Sequence, residues 1–118
     1  MSSILVIDDE KTVLNVIETA LTTFGYRVEV AGDGREGIEK FDQGRYDLVI
    51  TDLIMPNLDG GGVVEHIRSS DRKKTPIIGI SGTPWLLNEI DVDRVLTKPF
   101  PIQALVDSIK NLSVASLN

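Results

Sequence analysis

The chain has no cysteine, which excludes disulfides and thiolate metal centres. A single histidine, His66, excludes a histidine-rich metal site. There is no basic excess: 12 Lys and Arg against 18 Asp and Glu leave a net charge of −6. That balance argues against a surface built for direct nucleic-acid or anionic-membrane binding and mildly favours cationic partners. Long apolar runs are missing as well. Met1-Ser2-Ser3 leads into only four apolar residues before Asp8, too few for a signal peptide or a membrane span, so a cytoplasmic protein is expected. No internal repeat, low-complexity run or linker interrupts the 118 residues, which are enough for one domain with one core, residues 1–118.

The stretch around which the rest is organised is Leu48-Val49-Ile50-Thr51-Asp52, followed at once by the turn-forming Pro56-Asn57-Leu58-Asp59-Gly60. The apolar run reads as a buried strand, and the turn residues take the chain out of the sheet after it. Ile4-Leu5-Val6-Ile7 is a second such run, ended by Asp8-Asp9-Glu10. Val13, Leu14, Ile17, Ala20, Leu21 and Phe24 then recur at helical spacing, with Gly25 as a stop. Residues 26–30 alternate like a half-exposed edge strand. Ile38 and Phe41 mark a short helix closed by Gly44, and Val63, Val64 and Ile67 mark another after Gly60. Pro76-Ile77-Ile78-Gly79-Ile80, ended by Ser81-Gly82, is a fourth strand; residues 92–97, broken by Lys98-Pro99, are a fifth. Residues 83–91 have room for about two turns of helix, and Ile102, Leu105, Ile109 and Leu112 belong to the last helix.

Strand and helix thus alternate five times, which implies an α/β fold with a parallel sheet covered on both faces. In such sheets functional groups collect at the carboxyl ends of the strands. The residues found there are Asp8 and Asp9, Asp52, Ser81 and Lys98. Grouped carboxylates repel one another unless a hard cation sits among them, and oxygen ligands favour Mg²⁺, Mn²⁺ or Ca²⁺. An aspartate can also accept a phosphoryl group as an acyl phosphate. That transfer mainly requires alignment and neutralisation of the phosphoryl oxygens. Lys98 suits one such oxygen as a compact charge, and the Ser81 hydroxyl suits another. Each residue also has a plainer reading: Asp8, Asp9 or Glu10 as a helix cap, Asp52 as a turn-starting residue, Ser81 as a turn, Lys98 as a solvated loop lysine. Taken jointly, the plain readings must place all four strand ends together by accident. His66 reads as a helix-surface residue without a role.

Asp8-Asp9-Glu10, the segment Tyr46-Asp47-Leu48-Val49-Ile50-Thr51-Asp52-Leu53-Ile54-Met55-Pro56 with Asp59-Gly60, then Ser81-Gly82 and Leu96-Thr97-Lys98-Pro99-Phe100 together resemble the CheY-like receiver domain of two-component response regulators. The resemblance runs over nearly the whole chain. It implies a flavodoxin-like, doubly wound five-stranded parallel sheet in the order 2-1-3-4-5. It implies that Asp52 is the phosphoacceptor for a phosphohistidine on a sensor histidine kinase or phosphotransfer protein. Mg²⁺, with Mn²⁺ as a substitute, would be held by Asp8, Asp9, Asp52 and the backbone carbonyl of Ile54. Ser81 would be the switch hydroxyl, Lys98 would bind a phosphoryl oxygen, and Lys98-Pro99 would be cis. The implied role is a signalling switch rather than an enzyme. It catalyses only its own phosphorylation and slow dephosphorylation, and acts on a downstream protein target or a fused output domain; a homodimer is compatible with it.

Two departures bear on the output. Ser81 and Lys98 are closer in sequence than is usual in the family, so a shortened or irregular fourth helix is expected between the last two strands. Val95 stands where the family often has an aromatic switch residue. Trp85, in the shortened segment, reads either as a local cap over the core or as an exposed anchor for a partner. Ile54 and Thr83 flank the site and should govern the approach of water. Competing readings are a metal-dependent phosphatase and a phosphate-independent pseudo-receiver. The phosphatase would want a second acid two residues after Asp52, where Ile54 stands.

Overall fold

Four consecutive apolar residues cannot all hide on one face of a strand, so Ile4 to Ile7 demand cover on both. The computed structural model, which describes residues 2–55, 60–83 and 90–117, supplies it. The described elements run β1 (Ser3–Ile7), α1 (Lys11–Thr23), β2 (Arg27–Ala31), α2 (Gly34–Gln43), β3 (Leu48–Asp52), α3 (Gly60–Arg68), β4 (Ile77–Ser81), β5 (Arg94–Thr97) and α4 (Ile102–Leu117). All neighbouring strands are parallel, in the order β2-β1-β3-β4-β5. This is the expected doubly wound sheet. β1 leads outward to β2 on one side and β3 lies on its other side, so the direction of winding reverses between β1 and β3.

Residue alternation along the strands builds two cores. Ile4, Val6, Ile50, Ile78 and Ile80 face one layer with Leu14, Ile17 and Leu21 of α1 and Leu105, Val106 and Ile109 of α4. Leu5, Ile7, Val49 and Ile77 face the other, with Phe41 of α2 and Val63, Val64 and Ile67 of α3. Each fully buried aliphatic side chain contributes about 1.5–3 kcal/mol relative to exposure. Close approach of α2 to β1 is set by Gly37, where a Cβ would lie 2.8 Å from Ile7 Cγ1.

The ends of the elements have local causes. Gly25, at φ +94°, takes the left-handed turn that stops α1. The Asp33 side chain accepts the Glu36 N–H at 2.8 Å, and Glu36 in turn accepts the Gly32 N–H at 2.9 Å, a reciprocal cap on α2. Two strands start later than their sequence pattern suggests. β2 begins at Arg27, because Tyr26 N–H is spent on the Leu21 carbonyl at the helix end. β5 begins at Arg94, because Asp93 exchanges bonds with the first residue of β4. Phe24, expected on the buried stripe of α1, is instead half exposed as the residue after the helix, and Lys110 Nζ lies 5.8 Å from its ring centroid. Between β4 and β5, residues 84–89 are outside the described residues, and the expected shortened fourth helix and Trp85 fall there; α4 as numbered here is the last helix. No helix among the described residues is long and apolar enough to cross a membrane.

Candidate phosphoacceptor site

Parallel strands bring their carboxyl ends to one edge, and the register decides which residues meet. Ile7 pairs with Thr51, Asp52 with Ile80, and Ser81 with Thr97. Asp8, the residue after β1, is held by its N–H to the Ala31 carbonyl at 3.1 Å, and Lys98, the residue after β5, by its N–H to the Ser81 carbonyl at 2.9 Å. The Lys98-Pro99 peptide is cis, as expected. From there the lysine side chain reaches across the end of β4 to β3. Its Nζ lies 3.0 Å from Asp52 Oδ2, 3.1 Å from Glu10 Oε1 and 3.2 Å from Asp8 Oδ2.

The carboxylates outnumber the ammonium. Asp8, Asp9, Glu10 and Asp52 each offer an oxygen, and these oxygens all lie within 4.8 Å of one another. Asp8 is fully buried and Asp52 nearly so, whereas Asp9 and Glu10 are exposed. Asp8 Oδ1 accepts the Glu10 N–H at 2.9 Å, but its buried Oδ2, although paired by charge with Lys98, makes no hydrogen bond. Burial pushes the Asp8 carboxyl above the usual carboxylate range, with the charge of Asp52 adding to the rise; the Glu10 N–H and the Lys98 charge offset only part of it. Lys98 shows the converse balance. Burial works to lower its pKa, but hydrogen bonds to Asp52 and Glu10 and the charges of Asp8 and Asp52 outweigh it, so the ammonium is held well above the ordinary lysine value.

The plain readings of these residues turn out to coexist with the clustering. Asp52 Oδ1 accepts the Ile54 N–H at 3.0 Å, a turn-starting bond, while Oδ2 faces Lys98. Ser81 is buried and its Oγ accepts the Thr83 N–H at 2.9 Å; its own proton is not committed among the described residues. Ile54 is exposed beside Asp52, and the Thr83 hydroxyl oxygen is buried without a partner among the described residues. Val95 is exposed on β5. The residues that sequence reasoning placed at this edge therefore do meet there. What it missed is Glu10 as a direct partner of Lys98. It also missed Asp42 on α2, whose Oδ1 lies 2.8 Å from His66 Nε2, so His66 bridges α2 and α3 rather than merely covering a surface.

The buried, unsatisfied oxygen of Asp8 inside an all-oxygen cluster suits a hard divalent cation, since a cation both neutralises the repulsion and engages that oxygen. The set therefore fits Mg²⁺ by its chemistry.

Comparison with known proteins agrees. The family model for the response regulator receiver domain matches residues 4–110. The chain is 32% identical over 114 residues to the transcriptional regulatory protein TrcR of Mycobacterium tuberculosis, covering 92% of this chain and 44% of TrcR. Among solved structures it resembles the chemotaxis response regulator CheY4 of Vibrio cholerae, with a TM-score of 0.88 at 30% identity over 94% of this chain and 98% of that one. It also resembles the response regulator TrrA of Thermotoga maritima, solved in complex with Mg²⁺-BeF, with a TM-score of 0.87 at 32% identity over 95% and 99% of the two chains. The chain spans about half the length of the curated relatives it matches.

Proposed function

The chain belongs to the response regulator receiver family, and from that premise we propose that Asp52 accepts a phosphoryl group and thereby switches a protein-binding surface. What supports the assignment is one contact: Lys98 Nζ lies 3.0 Å from the Oδ2 of this strand-end aspartate, within a cluster of carboxylates. In the transfer, Asp52 attacks phosphorus, a P–O bond forms to the carboxylate, and the P–N bond to a phosphohistidine of the donor protein breaks, returning the imidazole. The protein need do little covalent chemistry; it holds the acceptor in line and neutralises charge.

Asp8, Asp9, Asp52 and the Ile54 carbonyl would hold Mg²⁺, with Mn²⁺ as a substitute; when bound, the ion supplies positive charge against the phosphoryl oxygens. Lys98 neutralises a further oxygen, and the uncommitted proton of Ser81 becomes a donor to another. The Asp52 turn bond to Ile54 N–H keeps the carboxylate oriented. Removal of the Asp52 charge and arrival of a larger dianion shift the attractions on Lys98 and Ser81, and that shift is the switch. The natural phosphodonor is a sensor histidine kinase or a phosphotransfer protein. The recipient of the signal is a separate protein or an attached output domain, the arrangement suggested by relatives that are transcriptional regulators about twice as long.

Incubation with Mg²⁺ and a small phosphodonor such as acetyl phosphate should add one phosphate to the intact protein, seen by mass spectrometry. Asp52→Asn should abolish the addition. Absence of uptake by the wild type, with Mg²⁺ present, overturns the reading in favour of a phosphate-independent interaction domain.

A further inference from the structure

Glu10 belongs to none of the roles assigned above, yet it makes one of the two hydrogen bonds of the Lys98 ammonium, across 88 positions of sequence. Its backbone is fixed as the residue preceding α1, where its carbonyl accepts the Leu14 N–H at 3.1 Å. Its side chain caps nothing in the helix. It is 58% exposed, against 8% for Asp52 and 0% for Asp8. Of the three carboxylates around Lys98, Glu10 is therefore the one that can leave for solvent with little penalty, and the one not needed to orient a turn.

An ammonium has three N–H bonds. Two of those of Lys98 are hydrogen-bonded, to Asp52 Oδ2 at 3.0 Å and Glu10 Oε1 at 3.1 Å, and the ammonium also lies 3.2 Å from the buried Asp8 Oδ2 as a charge contact, so a phosphoryl oxygen arriving at Lys98 competes with the carboxylates already around it. We propose that Glu10 is a positioning residue that parks Lys98 before phosphorylation and competes with the phosphoryl group for it. The same carboxylate stands in the cation cluster, with its oxygen within 4.8 Å of those of Asp8, Asp9 and Asp52. Glu10 then acts with opposite sign on the two ligands of the site. Its charge draws a divalent cation in, and both its charge and its hold on Lys98 oppose the phosphoryl dianion. Its partial exposure keeps both effects moderate through solvent screening.

The inference rests on the phosphoacceptor reading, and the experiment separates the two. Calorimetric titrations measure Mg²⁺ binding to the full chain, then binding of beryllofluoride at saturating Mg²⁺, for the wild type, Glu10→Gln and Glu10→Ala. Both variants should bind Mg²⁺ severalfold more weakly and beryllofluoride severalfold more tightly than the wild type. The Lys98 side-chain NMR signals should already differ from wild type in the ligand-free variants, since the lysine loses a partner. Affinities that fall together, or neither changing, overturn the role of Glu10 while leaving the acceptor reading intact. Failure of the wild type to bind either ligand overturns the acceptor reading itself.

Discussion

The two edges of the sheet handle charge in opposite ways. At the amino edge two arginines are tied into the fold by several hydrogen bonds each. Arg68, at the end of α3, donates from Nε to the Asp91 carbonyl, from Nη1 to the carbonyls of Lys73 and Thr75, and from Nη2 to Asp93 at 3.0 Å. Asp93 then accepts the Ile77 N–H at 2.7 Å and returns its own N–H to the Ile77 carbonyl at 2.9 Å. Arg72 donates to the carbonyls of Gly44 and Phe41 at the end of α2 and lies 4.4 Å over the Phe41 ring. At the carboxyl edge, by contrast, acceptors are in excess, and two buried oxygens, Asp8 Oδ2 and Thr83 Oγ1, have no hydrogen bond among the described residues. Satisfied groups stabilise the resting fold; unsatisfied ones reserve their free energy for a ligand. Within one sheet, the first edge reads as structure and the second as function.

The comparison breaks most visibly at Arg68. Arg68→Ala removes the side-chain donor from three carbonyls and the ion-paired hydrogen bond to Asp93, whose Oδ2 keeps only the Ile77 N–H, and should destabilise the protein by about 2–4 kcal/mol. Urea unfolding checks this, and the affinity of the folded protein for Mg²⁺ should stay within about twofold because the change is remote from the site. A large loss of Mg²⁺ affinity would mean that the edges are not independent.

The carboxyl edge should respond in the reverse sense. Saturation with Mg²⁺ at about 100 times its dissociation constant should stabilise the wild type by about 2.7 kcal/mol. Asp8→Asn should remove most of that gain while making the metal-free protein more stable, on the order of 1 kcal/mol, since a buried carboxylate oxygen without a hydrogen bond is penalised. The sign follows from the raised Asp8 pKa: the folded state binds this proton more tightly than the unfolded chain, so the charged form weakens the fold above the titration and protonation relieves it below. The advantage of Asp8→Asn should therefore be largest near neutral pH and shrink as pH falls through the Asp8 titration. Thermal unfolding across pH, with and without Mg²⁺, measures both parts.

The smallest effect is expected from Arg72→Lys. The positive charge remains, but the two-pronged cap on Gly44 and Phe41 and the stacking over the Phe41 ring are lost, which should cost about 1 kcal/mol without altering Mg²⁺ binding. An unchanged stability would show that the amino edge depends on charge alone.

These differences also explain what could be read in advance. Asp8, Asp52, Ser81 and Lys98 were legible because each directly follows, or ends, a run of apolar residues, and parallel strands must share an edge. Gly25 was legible because a left-handed turn needs a residue without Cβ. Phe24 misled because helical spacing carries no information about where the helix stops; the chain leaves the helix there and the ring turns to solvent. The start of β5 misled because its first apolar residue, Val92, packs against the core before Asp93 secures the strand. Arg68 and Arg72 gave no signal, since their partners are mostly backbone carbonyls, which every sequence contains.

The sequence by itself determined the alternation of strands and helices, the two-sided burial of the central strands and the set of residues delivered to the carboxyl edge. The reason is that periodicity and chain breaks are local, and the parallel topology follows from them. The tertiary structure alone decided how those residues share one ammonium. Lys98 reaches Asp52 and Glu10 only through the registers of β3 with β4 and β4 with β5, and the burial that singles out Asp8 depends on the packing around β1. Hydrogen-bond competition among residues distant in sequence is a property of that packing and is written in no local pattern.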